Sequence, residues 1–133
     1  MRLLWLDIET TGLVLGLDTI LEVAFAVAPL DDPFTLGPMQ HFVIGIPDAG
    51  STGRLWDPVV HKMHTDNGLF EDCRKSKTYL AEVELALMHA TEPMSADKEE
   101  LPILAGASVH FDHKFLVKAF PQLRDRLSHR FYD

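Results

Sequence analysis

The chain has 133 residues, a length that predicts a single compact domain over residues 1–133. Its composition, 47% hydrophobic and 24% charged, is typical of a globular protein and excludes an intrinsically disordered chain. The formal net charge of -8 argues against a protein that grips long nucleic acid through a basic face. A nucleic-acid substrate would therefore be short, and metal ions would supply much of the positive charge.

Compartment and membrane association are constrained by the cysteine count and by the N-terminus. With one cysteine, the chain is expected to form neither an internal disulfide nor a cysteine-based zinc site. The N-terminal apolar run is broken at Asp7 and Glu9 and lacks a small-residue cleavage site, so it is not typical of a signal peptide. No apolar run is long enough to span a membrane. These features predict a cytoplasmic protein with no membrane partner.

Three strands are predicted in the first third of the chain, at residues 2–9, 19–28 and 40–46. The first is apolar on both faces until its carboxylates, which predicts a central position in a sheet. Residues 29–38 are rich in turn-forming residues, so the three strands are expected to form an antiparallel meander.

The middle of the chain is predicted to be helical after a loop at residues 47–53. A short helix is expected at 55–63, with Pro58 in its first turn, and another within 66–76. Thr78 is predicted to cap a third helix, whose apolar stripe comprises Leu80, Val83, Ala86, Leu87 and Ala90.

The last third of the chain returns to the sheet. Residues 103–109 predict a buried strand, residues 112–120 a helix, residues 121–129 a further helix, and residues 130–133 the start of a strand. Together these elements predict the α/β class, with a mixed sheet and helices packed on it.

Two carboxylates end the first predicted strand. Asp7 and Glu9 are two residues apart, so their side chains project from one face, roughly 6–7 Å apart along the strand. Like charges at the end of an apolar strand are costly without a cation, and carboxylate oxygens suit Mg²⁺ or Mn²⁺. The pattern predicts a metal site. A solvent-exposed strand end without an ion is the alternative that this short motif leaves open.

Asp112 is the third candidate carboxylate. It follows the predicted buried strand and begins the predicted helix at 112–120. A carboxylate there caps the helix and interacts favourably with its dipole, which is one explanation. If this strand lies beside the first one, Asp112 would join Asp7 and Glu9 as a metal ligand, and two bound ions would suit phosphoryl transfer.

Four blocks of the sequence resemble those of a known family, in the family's order. The segment LLWLDIETTGL is similar to the first motif of the DEDD exonucleases, and GASVHFDHKFL resembles their second. The segments HKMHTDNGL and PQLRDRLSHRFYD resemble the oligoribonuclease branch. The resemblance implies a ribonuclease H-like mixed sheet flanked by helices. It also implies a homodimeric 3′-to-5′ exoribonuclease that degrades very short RNA, down to dinucleotides, with two divalent metal ions.

The resemblance implies roles for individual residues. Asp7, Glu9 and Asp112 match the catalytic carboxylates that bind the two Mg²⁺ or Mn²⁺ ions. Leu13 matches a leucine that wedges between the last two bases, and His64 matches a histidine lining the site. The positions that the resemblance assigns to substrate binding are Thr10, Gly12, Leu13, Trp56, His64, Ser108, His129 and Arg130.

Two of these positions are implied to exclude longer substrates. Ser108 and Arg130 match residues that close over the 5′ phosphate, and a guanidinium suits that task because it binds phosphate in a bidentate manner.

The sequence departs from the family pattern at several of these positions. Ala107 stands where the family often has Asn, His129 stands where an aromatic residue usually precedes the Arg, and Trp56 is displaced by about one helical turn. The family's third motif, a His that acts as general base and an Asp that completes the metal site, belongs to a helix downstream of residue 133. The resemblance therefore implies a C-terminally truncated form of the fold.

Several alternatives stay open. His129 and Asp133 have the residue types of the third motif but one residue too few between them, and His110 is a further candidate base. A non-catalytic module that holds dinucleotides without cutting them is a second function. A DNA-directed exonuclease of the same superfamily is a third, although MHTDNGL argues against it.

Overall fold

The architecture is a mixed sheet with helices, seen in a computed structural model that describes residues 1–45, 57–93 and 101–133. Within these residues the strands are β1 (Arg2–Thr10), β2 (Ile20–Pro29), β3 (Gln40–Val43), β4 (Ile103–Ala105) and β5 (Phe131–Tyr132). The helices are α1 (Pro58–Asp66), α2 (Leu69–Lys75), α3 (Leu80–Ala90), α4 (Val109–Ala119) and a 3-10 helix (Pro121–Arg126). None of these helices is long and apolar enough to cross a membrane. The predicted α/β class is confirmed.

The strand order is β3-β2-β1-β4-β5, so the predicted central position of β1 is confirmed. β1 pairs with β2, and β2 with β3, in the antiparallel sense that the meander requires. β4 and β5 continue the sheet in the parallel sense. Within β1, the residues that pair with β4 are Leu3, Leu4 and Trp5, so the second half of β1 runs past the end of β4.

The main hydrophobic core lies between one face of the sheet and the helices. β1 contributes Leu4, Leu6 and Ile8, which alternate along the strand as predicted. The helices contribute the buried residues Leu69, Cys73, Val83, Leu87, Val109, Phe115 and Leu116. The helical stripes and the strand alternation therefore meet in a single layer, which fixes the helices relative to β1.

A smaller apolar cluster covers the other face of β1. Leu3 packs there with Ile103 and Ala105, and Trp5 lies against this cluster. The Trp5 ring meets Tyr132 edge-on at a centroid distance of 5.7 Å, and its Nε1 donates to the carbonyl of Pro33 over 2.8 Å. Asp7 and Glu9 continue this face toward the end of the strand.

Helix α1 begins at Pro58 and ends at Asp66, three residues beyond the predicted end. Its start is fixed by Asp57, whose carboxylate accepts hydrogen bonds from the backbone N–H groups of Val59 and Val60. Pro58 lies at the first helical position, as predicted. The predicted loop at 47–53 and the first two residues of the predicted helix lie outside the described residues.

The predicted cap of α3 at Thr78 is wrong. Tyr79 holds the cap position, and its backbone N–H donates to Oε2 of Glu82 over 3.0 Å. Thr78 instead forms an isolated bridge with Ile44, which extends the pairing next to β3. Thr78, which the local sequence assigned to the helix cap, is thus engaged in a tertiary contact instead.

The predicted strand at 103–109 and the helices that follow it are corrected in their bounds. β4 ends at Ala105, and α4 begins at Val109, three residues before the predicted start. A Cβ on Gly106 would lie 2.7 Å from the Leu6 carbonyl oxygen, so the chain turns out of the sheet at a close approach that only glycine allows. The segment predicted as a helix at 121–129 is a 3-10 helix that ends at Arg126, before the predicted strand β5.

Candidate active site

The site lies where β1 runs past the end of β4. Asp7 is exposed there, and the side chain of Glu9 is 40% exposed. Both project from the face that also carries Trp5, because residues two apart in a strand share a face. Glu22 of β2 lies directly opposite Glu9 in the antiparallel register, which adds another negative charge.

Asp112 approaches this strand end from α4. Because α4 begins at Val109, Asp112 lies in the first helical turn and is only 4% exposed. The backbone N–H of Ile8 faces its carboxylate and acts to lower its pKa. Burial, followed by the charges of Asp7 and Glu9, raises the pKa of Asp112 to about 7. The structure therefore brings the three predicted carboxylates into one electrostatically coupled group.

Glu9 shows the same electrostatic strain. Burial raises the pKa of Glu9, and the charges of Asp7 and Glu22 act in the same direction. His64 opposes this shift, since its Nε2 lies 3.7 Å from Oε2 of Glu9. Negative charge at the end of β1 is thus concentrated, and the described residues compensate it only in part.

The chemistry of this group fits a hard divalent cation. All three candidates supply carboxylate oxygens, the ligand type that Mg²⁺ and Mn²⁺ prefer, and a cation would offset their mutual repulsion. In the part of the chain that the structure describes, no group of three His, Cys, Asp or Glu side chains already has the spacing of a coordination site. Asp7, Glu9 and Asp112 fit the ions by donor type and charge, and ligation would draw their side chains together.

His64 lies beneath the end of β1 and is fully buried. Its Nε2 is 3.2 Å from the carbonyl oxygen of Thr10, next to the residue where the β1–β2 register shifts. The Nδ1 atom lies 3.4 Å from Nδ2 of Asn67. The imidazole therefore contacts the backbone of β1 from the protein interior. Because the ring is fully buried, it has no exposed surface that could contact a nucleobase.

A hydrogen-bonded loop follows β1 and presents Leu13 to solvent. Asp18 accepts hydrogen bonds from Oγ1 of Thr11 and the backbone N–H of Val14, both over 2.9 Å. A Cβ on Gly12 would lie 2.6 Å from the Asp18 carboxylate, so glycine is required beside it. Leu13 is 75% exposed, which suits the predicted contact with a base.

Thr10, which the resemblance places among the substrate-binding residues, has its side chain turned toward the protein. Its hydroxyl donates to the carbonyl oxygen of Gly12 over 2.7 Å, and the residue is 6% exposed. Its hydroxyl thus stabilises the turn into the loop that carries Leu13.

Ser108 has a strained backbone. Its φ of 58° is the left-handed conformation that L-residues other than Asn and Asp seldom adopt. The residue is exposed, precedes α4, and donates its backbone N–H to Oδ1 of Asp133 over 3.2 Å. Strain of this kind is often retained at functional positions, so it supports the predicted role of Ser108.

The structure does not bring His129 and Arg130 to the carboxylates of the same chain. Both are exposed and directly precede β5, whose Phe131 pairs with Leu104. In this parallel register Arg130 is level with the start of β4, about 13 Å along the strand direction from Asp7. Trp56 lies outside the described residues.

The histidines of α4 contact β5. The His110 and His113 rings meet Phe131 edge-on, at centroid distances of 4.6 and 4.9 Å. This packing gives the imidazole of His110 a structural explanation beside its predicted role as a base. The pKa of His113 is lowered, first by burial and then by the charges of His110 and Arg124.

Sequence reasoning missed two residues that shape the site. Asp18 was hidden in a predominantly apolar loop and carries no motif signal. Asn67 lies in a segment that the sequence assigns to a short helix and to a family block, although an Asn-Gly pair is a turn signal in its own right. That signal identifies the turn between α1 and α2, whereas the contact with His64 emerges only from the fold.

Comparisons with known proteins identify the family and the fold. No family model matches the chain. The chain is 34% identical over 132 residues to an oligoribonuclease from Mycobacterium sp. (strain KMS), covering 99% of this chain and 60% of that one. It is 33% identical over 137 residues to the oligoribonuclease of Rhodococcus jostii (strain RHA1), covering 99% and 64%. It is 34% identical over 133 residues to a probable oligoribonuclease from Dictyostelium discoideum, covering 99% and 67%.

A solved structure shows the same fold. The metal-free form of an E. coli ExoI–ssDNA complex superposes with a TM-score of 0.65 at 18% identity, covering 99% of this chain and 24% of that one. The sheet is therefore ribonuclease H-like, as the resemblance implied. The chain spans about 60% of the length of the mycobacterial relatives and 67% of the Dictyostelium one. The Dictyostelium relative is 34% identical to this chain, which covers 67% of its length, and the chain therefore belongs to the oligoribonuclease family.

Proposed function

We propose that this chain binds the 3′ end of very short RNA and supports its 3′-to-5′ hydrolysis to mononucleotides. The observation that carries the proposal is the coupling of Asp7 and Glu9, from the central strand, with Asp112, from the first turn of α4. The names of the relatives favour RNA as the substrate. The single cysteine is free and buried, which fits a reducing compartment, so the proposal places this activity in the cytoplasm.

Asp7, Glu9 and Asp112 would hold two Mg²⁺ or Mn²⁺ ions. Ions of this class, when bound, supply electrostatic stabilisation to the attacking and leaving oxygens of a phosphodiester. The chain's own residues bind and orient the substrate around them. Leu13 offers an exposed apolar surface to a base, and Ser108 stands at the start of α4, where the helix dipole favours an anionic phosphate.

A homodimer is part of the same proposal. Arg130 and His129 are too far along the sheet to reach the carboxylates of their own chain, yet both are exposed. A second copy would bring the partner subunit's Arg130 to the substrate phosphate, and its guanidinium would favour substrates short enough to end there.

The test is release of mononucleotide from a 5′-labelled RNA dinucleotide by the 133-residue chain in Mn²⁺. Asp7→Asn and Asp112→Asn are expected to abolish release, because each removes a charged ligand with little change in shape. Asp125→Asn makes the same change at an exposed carboxylate of the 3-10 helix and is expected to retain the wild-type rate. Absence of both cleavage and Mn²⁺-dependent dinucleotide binding in the wild type would overturn the proposal.

Binding without cleavage is the second candidate function. The observation that favours it is the packing of His110, a candidate general base, whose ring meets Phe131 of β5 edge-on at a centroid distance of 4.6 Å. Saturable, Mn²⁺-dependent binding of the dinucleotide with no product over long incubation would select this function over the first.

A further inference from the structure

Asn67 connects the turn after α1 to the end of β1 through three consecutive hydrogen bonds. The backbone N–H of Leu69 donates to Oδ1 of Asn67 over 3.0 Å. Nδ2 of Asn67 lies 3.4 Å from Nδ1 of His64, and Nε2 of His64 lies 3.2 Å from the carbonyl oxygen of Thr10. This series of hydrogen bonds thus connects the first residue of α2 to the strand that carries Glu9.

The direction of each bond is determined by the groups at its two ends. A backbone N–H only donates, so the atom of Asn67 that meets Leu69 is its oxygen. The amide nitrogen of Asn67 must then face His64, and it donates to an Nδ1 that carries no proton. In a neutral imidazole the proton therefore lies on Nε2, where the Thr10 carbonyl accepts it.

The position of His64 makes this tautomer important for the carboxylates. Its Nε2 is also 3.7 Å from Oε2 of Glu9, and the β1–β2 register shifts between Glu9 and Thr10. An Nε2 without a proton would present a lone pair to both oxygens. The proton on Nε2 turns that contact into an attraction and stabilises the strand at its irregular end.

We propose that Asn67 is a positioning residue that keeps His64 in the Nε2–H form and thereby fixes the Glu9–Thr10 backbone for ion and substrate binding. The consequence for catalysis rests on the proposed function. The consequence for the imidazole and for ion binding does not. Partners of this kind behind a ligand typically change metal affinity by about 10- to 100-fold when removed.

Asn67→Asp is the sharpest test because it preserves shape and one acceptor. An aspartate still accepts from the Leu69 N–H, so the turn into α2 is retained, but it offers His64 a second acceptor in place of the donor. Spectra of ¹⁵N-histidine-labelled protein distinguish protonated from unprotonated ring nitrogens. We expect Nδ1 of His64 to be unprotonated in the wild type and protonated in the variant, with Mn²⁺ affinity lower by about tenfold or more.

Two further variants separate positioning from charge and from fold stability. Lys62→Gln also changes the net charge by -1 on α1, at a side chain that is 78% exposed, and is expected to leave the His64 spectrum and Mn²⁺ affinity unchanged. His64→Gln supplies an amide N–H toward Thr10 without an imidazole. In that background Asn67→Asp is expected to cause less than half of the loss in Mn²⁺ affinity, expressed as free energy, that it causes in the wild type.

Two results would overturn the proposal. One is a His64 spectrum in Asn67→Asp with Nδ1 still unprotonated. The other is an unchanged Mn²⁺ affinity despite a shifted proton. If the wild-type chain binds Mn²⁺ but cleaves no dinucleotide, the proposed hydrolysis fails, while both readouts for Asn67 stand as measured.

Discussion

The backbone N–H of Ile8 faces the carboxylate of Asp112 and acts to lower its pKa, and this relationship joins the central strand to the first turn of α4. The contact is possible because β4 ends at Ala105 and, among the residues that the structure describes, no other strand pairs with the second half of β1 on that side. Asp112 therefore lies against the backbone of β1 and also joins the carboxylates of Asp7 and Glu9. These two roles oppose each other, because the burial that brings the carboxylate to the backbone disfavours its negative charge.

Asp112→Asn is expected to stabilise the ion-free protein at high pH. Folding raises the pKa of Asp112 from 3.8 to about 7, so the folded state holds this proton more tightly than the unfolded chain. The associated stability is complete below about pH 4 and is lost as the pH rises through about 7. Near pH 8 in EDTA, the variant's free energy of unfolding should exceed that of the wild type by on the order of 4 kcal/mol.

Urea denaturation near pH 4 and near pH 8 measures this difference. The two proteins should have matching midpoints near pH 4, and Asp125→Asn should show no gain at either pH. An equal gain for Asp112→Asn at both pH values would mean that the benefit does not come from the titration of this carboxyl.

Ser108→Gly is expected to increase the free energy of unfolding and to lower the affinity for an RNA dinucleotide. Glycine adopts a φ of 58° without strain, and relief of a left-handed residue is worth up to about 1 kcal/mol after the added chain entropy. Under the proposed function, removal of the hydroxyl weakens the expected contact between Ser108 and the substrate phosphate. Ser108→Ala removes the same hydroxyl without relieving the backbone strain, so thermal unfolding and dinucleotide affinity of the two variants separate the two effects. A destabilised Ser108→Gly would contradict the strain argument.

Leu13→Ala is expected to weaken dinucleotide binding with almost no change in stability. Leu13 is 75% exposed, so truncation should change the free energy of unfolding by less than about 0.5 kcal/mol. Loss of apolar contact with a base should reduce affinity on the order of fivefold. Fluorescence polarisation with a non-hydrolysable dinucleotide measures this loss, with Leu85→Ala on α3, 72% exposed, as the control. Equal losses at both positions would refute a specific contact.

Mixing two inactive variants is expected to restore activity if Arg130 acts across a dimer. Asp7→Asn damages its own site, and Arg130→Ala damages the site of its partner. In a mixed dimer, one site therefore has intact carboxylates and receives the partner's Arg130. Statistical mixing should restore about one quarter of the wild-type rate.

The rate of dinucleotide cleavage after subunit exchange provides the measurement. Each variant mixed with itself should stay inactive. No recovery in the heterologous mixture, despite exchange shown by labelled subunits, would place Arg130 and Asp7 in service of the same site within one chain.

The central position of β1 followed from local sequence, whereas the grouping of its carboxylates with Asp112 stays a prediction that depended on which strand lies beside β1. A strand apolar on both faces has to be covered on both sides, and this constraint placed β1 inside the sheet. The residue types at Asp7, Glu9 and Asp112 then indicated one site, since all three lie beside predicted strand ends. Local patterns predicted these features because each depends on hydrophobicity or on strand periodicity.

The bounds of β4 and α4 did not follow from local sequence because tertiary contacts determine them. The apolar run from Ile103 resembles a longer strand until Gly106 meets the Leu6 carbonyl from a different part of the chain. The burial of His64 and its contact with Asn67 likewise depend on how α1 docks under β1. The sequence shows a turn signal at Asn67. It does not show that the Thr10 carbonyl lies on the other side of the His64 ring.

The pairing of β1 with β4 also has a kinetic consequence. Leu3 pairs with Ile103 across one hundred positions of the chain, while β1 and β2 close a short hairpin-like loop. Contacts of large sequence separation form slowly, because the entropy of closing the intervening chain is lost before the contact is gained. Asp7 and Glu9 are thus neighbours from the earliest hairpin, whereas Asp112 joins them only when the parallel half of the sheet forms. A probe of the Ile8–Asp112 contact would report the late stage of folding.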